Sequence, residues 1–173
     1  METFVLAGGC FWCLDSAFIQ LRGVHDVTCA YSGGSKPDPS YQDICNGNTG
    51  HAEVVTIEFD PNEISETEIL DIFFTVHDPT QLNRQGADVG DQYRSAMYYS
   101  SEDQKQLFES AIERAKEIWG EDIVTEVTRL GEIYVAEDYH QDYFAKNPNQ
   151  GYCQAVVAPK VAKVRSKYSH LLK

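Results

Sequence analysis

Apolar and polar positions change their period several times along this chain, and each change marks an element. Thr3 to Ala7 is a short apolar run, the mark of a buried strand, and it leads into Gly8-Gly9. Leu14, Ala17, Phe18 and Leu21 then recur at helical spacing until Gly23. Val24 to Tyr31 predicts a second strand, closed by Ser32-Gly33-Gly34. Two prolines within Lys36 to Ser40 exclude regular structure there. Tyr41 to Cys45 fits a short helical turn, and Asn46 to Gly50 a loop. From Ala52 to Phe59 the chain alternates, with Val54, Thr56 and Glu58 on one side and Val55, Ile57 and Phe59 on the other.

Asp60-Pro61 ends that strand, and Ser65 with Glu68 forms a capping box for the next helix. The helix places Ile69, Ile72, Phe73 and Val76 on one face and stops near Asp78-Pro79. Thr80 to Gln92 has no period and predicts a long loop, which in a compact domain usually carries function. Ser95 to Tyr99 is a predicted strand. Ser101 to Trp119 is the clearest helix, striped by Leu107, Phe108, Ala111, Ile112, Ala115, Ile118 and Trp119. Val124 to Leu130 predicts a strand, Glu137 to Lys146 a helix, and the chain beyond Pro148 an irregular tail with a basic end from Lys160 to Lys173. The order strand–helix–strand–strand–helix–strand is the split βαβ pattern of an α+β, ferredoxin-like two-layer sandwich with extra helices. No repeat or linker divides residues 1–173, so a single domain is expected.

Charge narrows the partners. Fourteen basic against 27 acidic residues give −13, which argues against general nucleic-acid binding and against an anionic membrane surface. No apolar run approaches the roughly 18 residues of a membrane span. Met1-Glu2-Thr3 lacks the basic start and apolar run of a signal peptide, so the cytosol is the expected location, and a monomer is the default for a single domain. Five cysteines in such a chain point to catalysis, metal binding or inert burial rather than to disulfide staples.

Cys10 follows a strand and two glycines and opens a helix. A thiol there meets the positive end of the helix dipole and free N–H groups, which favour the thiolate and lower its pKa from about 8.5. The competing reading is a small buried hydrophobe beside a turn. Cys10-Phe11-Trp12-Cys13 is also a CxxC, a pair that redox proteins use as a dithiol. Zinc would want a second pair or two histidines at ligand spacing, whereas Cys29, Cys45, His51 and Cys153 are scattered singly. A thioredoxin-type reading expects a full βαβ unit before the CxxC, and only nine residues precede Cys10. Phe11 and Trp12 could line a small apolar pocket or simply pack. Glu53 alternates with Val55 and Ile57 on an apolar face; half-buried, it would have a raised pKa and could donate a proton at neutral pH, and otherwise it is a solvated strand-edge carboxylate. Tyr41 and Tyr93 could offer hydroxyls to a polar substrate atom, and Arg94 could hold its loop by pairing with an acid.

The string Gly9-Cys10-Phe11-Trp12 resembles the signature of the peptide methionine sulfoxide reductases of the A type. Further strings match in order: Ser32-Gly33-Gly34, Tyr41, Gly47 to Glu53, Phe59-Asp60-Pro61, His77 to Thr80, Gln85 to Gly90, Gln92 to Ser95, Ala136 to Gln141, Asn147-Pro148 and Tyr152-Cys153. The likeness runs from about residue 4 to residue 165.

That resemblance implies reduction of the S-epimer of methionine sulfoxide, free or in proteins, as a repair activity. It implies Cys10 as the nucleophile, Glu53 as the acid, and Tyr41 and Tyr93 as hydrogen-bond donors to the sulfoxide oxygen. Phe11 and Trp12 match the pocket for the substrate methyl, and Asp88 matches a residue that places the substrate. Cys10 would be left as a sulfenic acid, and a second cysteine would form a disulfide that thioredoxin reduces. No metal or organic cofactor is implied. Many relatives have Gly at the position of Cys13 and resolve with a cysteine in the segment of Cys153, which a mobile tail could carry to Cys10. Cys13 lies closer but is fixed on a helix, so both remain candidates, with Cys13 a possible relay. A general CxxC dithiol oxidoreductase is the alternative function, and a non-enzymatic thioether-binding module a third.

Overall fold

The computed structural model describes all of residues 1–173. Its centre is a six-stranded sheet built from β1 (Glu2–Ala7), β2 (Val24–Ser32), β3 (Ala52–Phe59), β6 (Ala96–Tyr99), β7 (Glu126–Arg129) and β8 (Ile133–Val135). The order across the sheet is β7-β6-β1-β3-β2-β8. All neighbours are antiparallel except β6 and β7, which run parallel and are joined by α4 (Glu102–Trp119). β1 and β2 therefore flank β3 in the same direction, with α1 (Phe11–Ile19) as the crossover.

Alternation along the strands sorts the core into two layers. Phe4 and Leu6 of β1, with Val55, Ile57 and Phe59 of β3, join the main core with Leu14, Ala17 and Phe18 of α1. α3 (Glu66–Val76) adds Ile69, Ile72 and Phe73, and α4 adds Phe108, Ala111 and Ala115. Val5, Ala7, Ala30, Ala52, Val54, Ala96 and Tyr98 form a smaller cluster on the opposite face. The side chain of Ser65 accepts from the Glu68 amide and that of Glu68 from the Ser65 amide, the capping box expected from the sequence. Ser40 and Asp43 make a second such box at the start of α2 (Tyr41–Asn46). Ile118, placed on the buried stripe of α4 by its spacing, is 71% exposed.

Four expectations need correction. Thr80 to Gln92 contains a small hairpin, β4 (Arg84–Gln85) against β5 (Asp88–Val89), turned at Gly86 with φ +59°. The strand expected over Val124 to Leu130 is shorter, and β8 follows it unpredicted. Glu137 to Lys146 is not one helix: a 3-10 turn (Asp138–His140) and a short α5 (Tyr143–Lys146) are separated by Asp142 at φ +54°. Long-range bonds take the backbone out of helical register there. The Gln141 side chain bonds both the N–H (2.8 Å) and the C=O (2.9 Å) of Cys29, and the Asp142 N–H donates to Asp15 on α1 at 2.8 Å.

The tail is not irregular either. A π-helical turn (Cys153–Val157) runs into α6 (Ala158–Lys167) and a 3-10 turn (Ser169–Leu171). Cys153, Val157 and Val164 lie on one buried stripe, and Leu172 bridges to Leu21. The tail is docked on α1 and α3. No helix is long and apolar enough to cross a membrane.

Candidate active site

The site forms where β1 ends and α1 begins. Gly9, at φ +85°, turns the chain sharply, and Cys10 caps α1 in an extended conformation. Gly8 lies so close to His77 that a Cβ there would stand 2.9 Å from the ring. His77 cannot yield, because it is held between the Phe73 carbonyl and Ser95 Oγ, each at 2.7 Å. Cys10 is 8% exposed, and Cys13, one helical turn on, is 1% exposed.

Glu53 reaches this turn from β3. It is 1% exposed and accepts the Phe11 N–H at 3.1 Å. Burial raises its pKa to about 8, against the opposing pull of that N–H. Glu53 is thus fully buried rather than half-buried, and the carboxyl keeps its proton at neutral pH.

The nucleophile candidate differs from its expected electrostatics. Burial first, then the hydrogen bond to Cys13 and the charge of Glu53, push the Cys10 thiol well above its ordinary value. The helix start cannot offset a buried site with a neighbouring carboxyl and a second sulfur. Cys13 moves the opposite way, lowered chiefly by its hydrogen bond with Cys10. The two thiols titrate as a pair, one raised and the other lowered by their mutual interaction.

Tyr41 and Tyr93 both lie within reach of the Glu53 charge. Burial raises both hydroxyls, with the Cys45 thiol adding at Tyr41 and the Glu53 charge at Tyr93. Both therefore stay protonated and able to donate. Asp88 accepts the hydroxyl of Tyr152, and the ring of Tyr152 stands edge-on to Trp12 at 5.8 Å. Phe11 is buried against Tyr31 and His140, at centroid distances of 5.6 and 5.0 Å. Trp12 is half-buried, stacks flat on Tyr143 at 3.7 Å, and donates its indole N–H to His140 Nδ1 at 3.1 Å. Arg94 pairs with Glu126 at 3.3 Å and also bonds the carbonyls of Gly50 and Asp91, which ties the loop down as its sequence suggested.

The structure thus gathers Cys10, Cys13, Glu53, Asp88, Trp12, Tyr41 and Tyr93. Cys29 is buried beside Asp15, and Cys45 is exposed. Cys153 is fully buried on the docked tail rather than mobile. Residues given no role from the sequence also belong here. Glu137 accepts the Tyr31 hydroxyl at 2.9 Å and the Tyr41 N–H at 2.8 Å, and so places Tyr41. Tyr152, His140 and Tyr143 frame Trp12. Glu137, His140 and Tyr152 lie within the matched strings, whereas Tyr143 lies in none of them.

The largest cavity, about 720 Å³, lies elsewhere, between β1, α3 and α4, and no thiol lines it. Volume therefore does not locate this site; the chemistry does. The sequence profile described as "Peptide methionine sulfoxide reductase" matches residues 2–172. The chain belongs to the peptide methionine sulfoxide reductase family. This reductase is 57% identical to the peptide methionine sulfoxide reductase MsrA of Clavibacter michiganensis over 173 residues, covering 100% of this chain and 99% of that one. It superposes on reduced Mxr1 from Saccharomyces cerevisiae with a TM-score of 0.83 at 33% identity, over 88% of each chain. Mxr1 in complex with Trx2 also shares the reductase fold, with a TM-score of 0.58 at 23% identity over 82% of this chain and 84% of that one.

Proposed function

We propose that the reductase acts on methionine S-sulfoxide through Cys10, with Glu53 as the proton donor. The observation that carries this is the buried Glu53 carboxyl, protonated up to about pH 8 and fixed to the turn of Cys10 by the Phe11 N–H. As the sulfoxide enters, Cys10 gives its proton to the thiolate form of Cys13, the partner whose pKa is lowered, and its sulfur attacks the substrate sulfur. The sulfoxide oxygen takes the Glu53 proton, with Tyr41 and Tyr93 donating hydrogen bonds to it. Charge on that oxygen is costly in a site poor in water, so fixed donors contribute most where it develops. Trp12, with Phe11 behind it, forms the apolar wall for the methyl, and Asp88 with Tyr152 holds the substrate backbone. The hydroxyl then shifts from the substrate sulfur to the Cys10 sulfur as the bond between the two sulfurs breaks, so methionine leaves and Cys10 is left as a sulfenic acid.

Cys13 is the first resolving thiol in this reading. Its sulfur displaces the sulfenic hydroxyl as water and forms a Cys10–Cys13 disulfide. Cys153, whose thiol burial pushes up with the charge of Cys13 adding, then attacks Cys13 and frees Cys10. The docking of the tail supports this order, because Cys153 would have to leave a buried stripe to reach Cys10 first. We further propose thioredoxin as the final reductant, by analogy with the Mxr1–Trx2 pair. The core β1–α1–β2–β3–α3–β6, with sheet order β6-β1-β3-β2, supports a ferredoxin-like description.

The test is one equivalent of methionine sulfoxide without reductant. About one methionine should be released per chain, with a Cys10–Cys13 or Cys13–Cys153 disulfide seen by peptide mass mapping. Insulin disulfide reduction without sulfoxide turnover would instead identify a general dithiol oxidoreductase.

A further inference from the structure

The basic C-terminal end has no place in the chemistry above. After Asp142 the chain contains no Asp or Glu, yet carries Lys146, Lys160, Lys163, Arg165, Lys167 and Lys173, in a protein of net charge −13. Arg165 bonds Gln20 Oε1 at 3.2 Å, and Lys167 lies over the Tyr168 ring. Lys160, half-buried, and Lys163, exposed, make no ion pair and no side-chain hydrogen bond.

Both lysines line a surface trough that starts at the substrate site. Its first part, about 270 Å³, runs from Asp88 and Tyr152 to Lys160. Its second, about 250 Å³, continues past Gln85 and Lys160 to Lys163 and Trp119. Two carboxylates also border the trough, and both are already committed. Asp88 accepts from Tyr152, and Asp78 accepts from the Thr80 N–H and hydroxyl and from Gln81. Hydrogen bonds to neutral groups leave both carboxylates charged but fixed, so Lys160 and Lys163 are the charged groups of the trough whose ends remain free for a ligand.

We infer that this trough seats the polypeptide flanking a methionine sulfoxide, and that Lys160 and Lys163 select acidic residues there. The inference rests on the reading of Cys10 and Asp88 as the sulfoxide site. An acidic side chain near the oxidised methionine would meet Lys160, and one further along would meet Lys163. A free amino acid would end at Asp88 and reach neither. Partly exposed ion pairs of this kind change binding by up to about fivefold each.

The experiment uses the full chain with dithiothreitol as reductant and three substrates. These are uncharged N-acetyl-methionine sulfoxide amide and two sulfoxide peptides that differ only in carrying Glu or Lys on both sides of the methionine. Each kcat/KM is divided by that of the same protein on the uncharged compound. Wild type should favour the Glu peptide by about three- to tenfold, through KM, and 0.5 M salt should erase most of the preference. The double variant Lys160→Glu, Lys163→Glu should reverse it. Equal preference in wild type and variant overturns the inference while leaving the sulfoxide site intact. So does a variant whose peptide preference is unchanged but whose thioredoxin-driven rate alone falls, since the trough would then serve the reductant. Failure on the uncharged compound would instead overturn the site itself.

Discussion

Glu53 Oε1 accepts the backbone N–H of Phe11 at 3.1 Å, so the proton donor is fixed to the residue that follows the reactive thiol. Replacing Cys10 by Ser leaves that bond in place but removes the nucleophile, since a hydroxyl is barely ionised at neutral pH. Cys10→Ser should lose all measurable sulfoxide reduction and keep the wild-type circular dichroism spectrum. Retention of more than a few per cent of activity would remove Cys10 from its role.

Glu53→Gln keeps a side chain of the same shape but cannot transfer a proton. Single-turnover methionine release should fall by about 10²–10⁴-fold with little change in KM. Wild-type rates should decline as pH rises through about 8, where Glu53 loses its proton, and the variant should lack that limb. Rapid-quench measurements across pH 6 to 9.5 check this.

The same carboxyl sets a stability slope. Its ordinary pKa of 4.5 applies to the unfolded chain, and the folded value is about 8. The folded state therefore binds the extra proton between those limits. Its contribution is full below about pH 4.5 and is lost as pH rises through 8. Tm should fall from pH 6.5 to 8.5 in wild type and fall less in Glu53→Gln, by calorimetry.

Cys13→Ser and Cys153→Ser should separate the steps of recycling. Both should release about one methionine per chain in a single turnover. Cys13→Ser should accumulate a sulfenic acid at Cys10, trapped by dimedone, and lose thioredoxin-driven turnover. Cys153→Ser should accumulate the Cys10–Cys13 disulfide. A Cys10–Cys153 disulfide formed rapidly in Cys13→Ser would return the first capture to the tail.

Gly8→Ala forces a Cβ to within 2.9 Å of a ring that two hydrogen bonds hold in place. Overpacking of this kind costs about 1–3 kcal/mol. The variant should melt several degrees lower and lose activity, because the Cys10 turn moves with it. Adding His77→Ala should relieve the clash and restore activity in part.

Local patterns carried much of the fold. The alternation of Val55, Ile57 and Phe59, the Ser65–Glu68 box and the glycines before Cys10 are each written within a few residues. Glu53 shared that legibility, since its parity put it on the apolar face. What escaped was fixed by distant partners. Asp142 leaves helical geometry because Asp15, 127 residues away, accepts its N–H. Glu137 orders Tyr41 across 96 residues. The tail stripe Cys153, Val157 and Val164 was present in the sequence, but its basic residues and glycine obscured the period. The Cys10 pKa was misjudged because helix position is local, whereas burial is set by the whole domain.

That burial has a consequence for survival under oxidant. Peroxide reacts with thiolates far faster than with thiols, and climbs from sulfenic to irreversible sulfinic acid where access is free. Cys10 at rest is capped by its proton and shielded from solvent, so stray oxidant finds neither the charge nor the approach it needs. The enzyme meets oxygen on a sulfoxide, at a site that supplies the proton, and is spared when that oxygen is loose in solution.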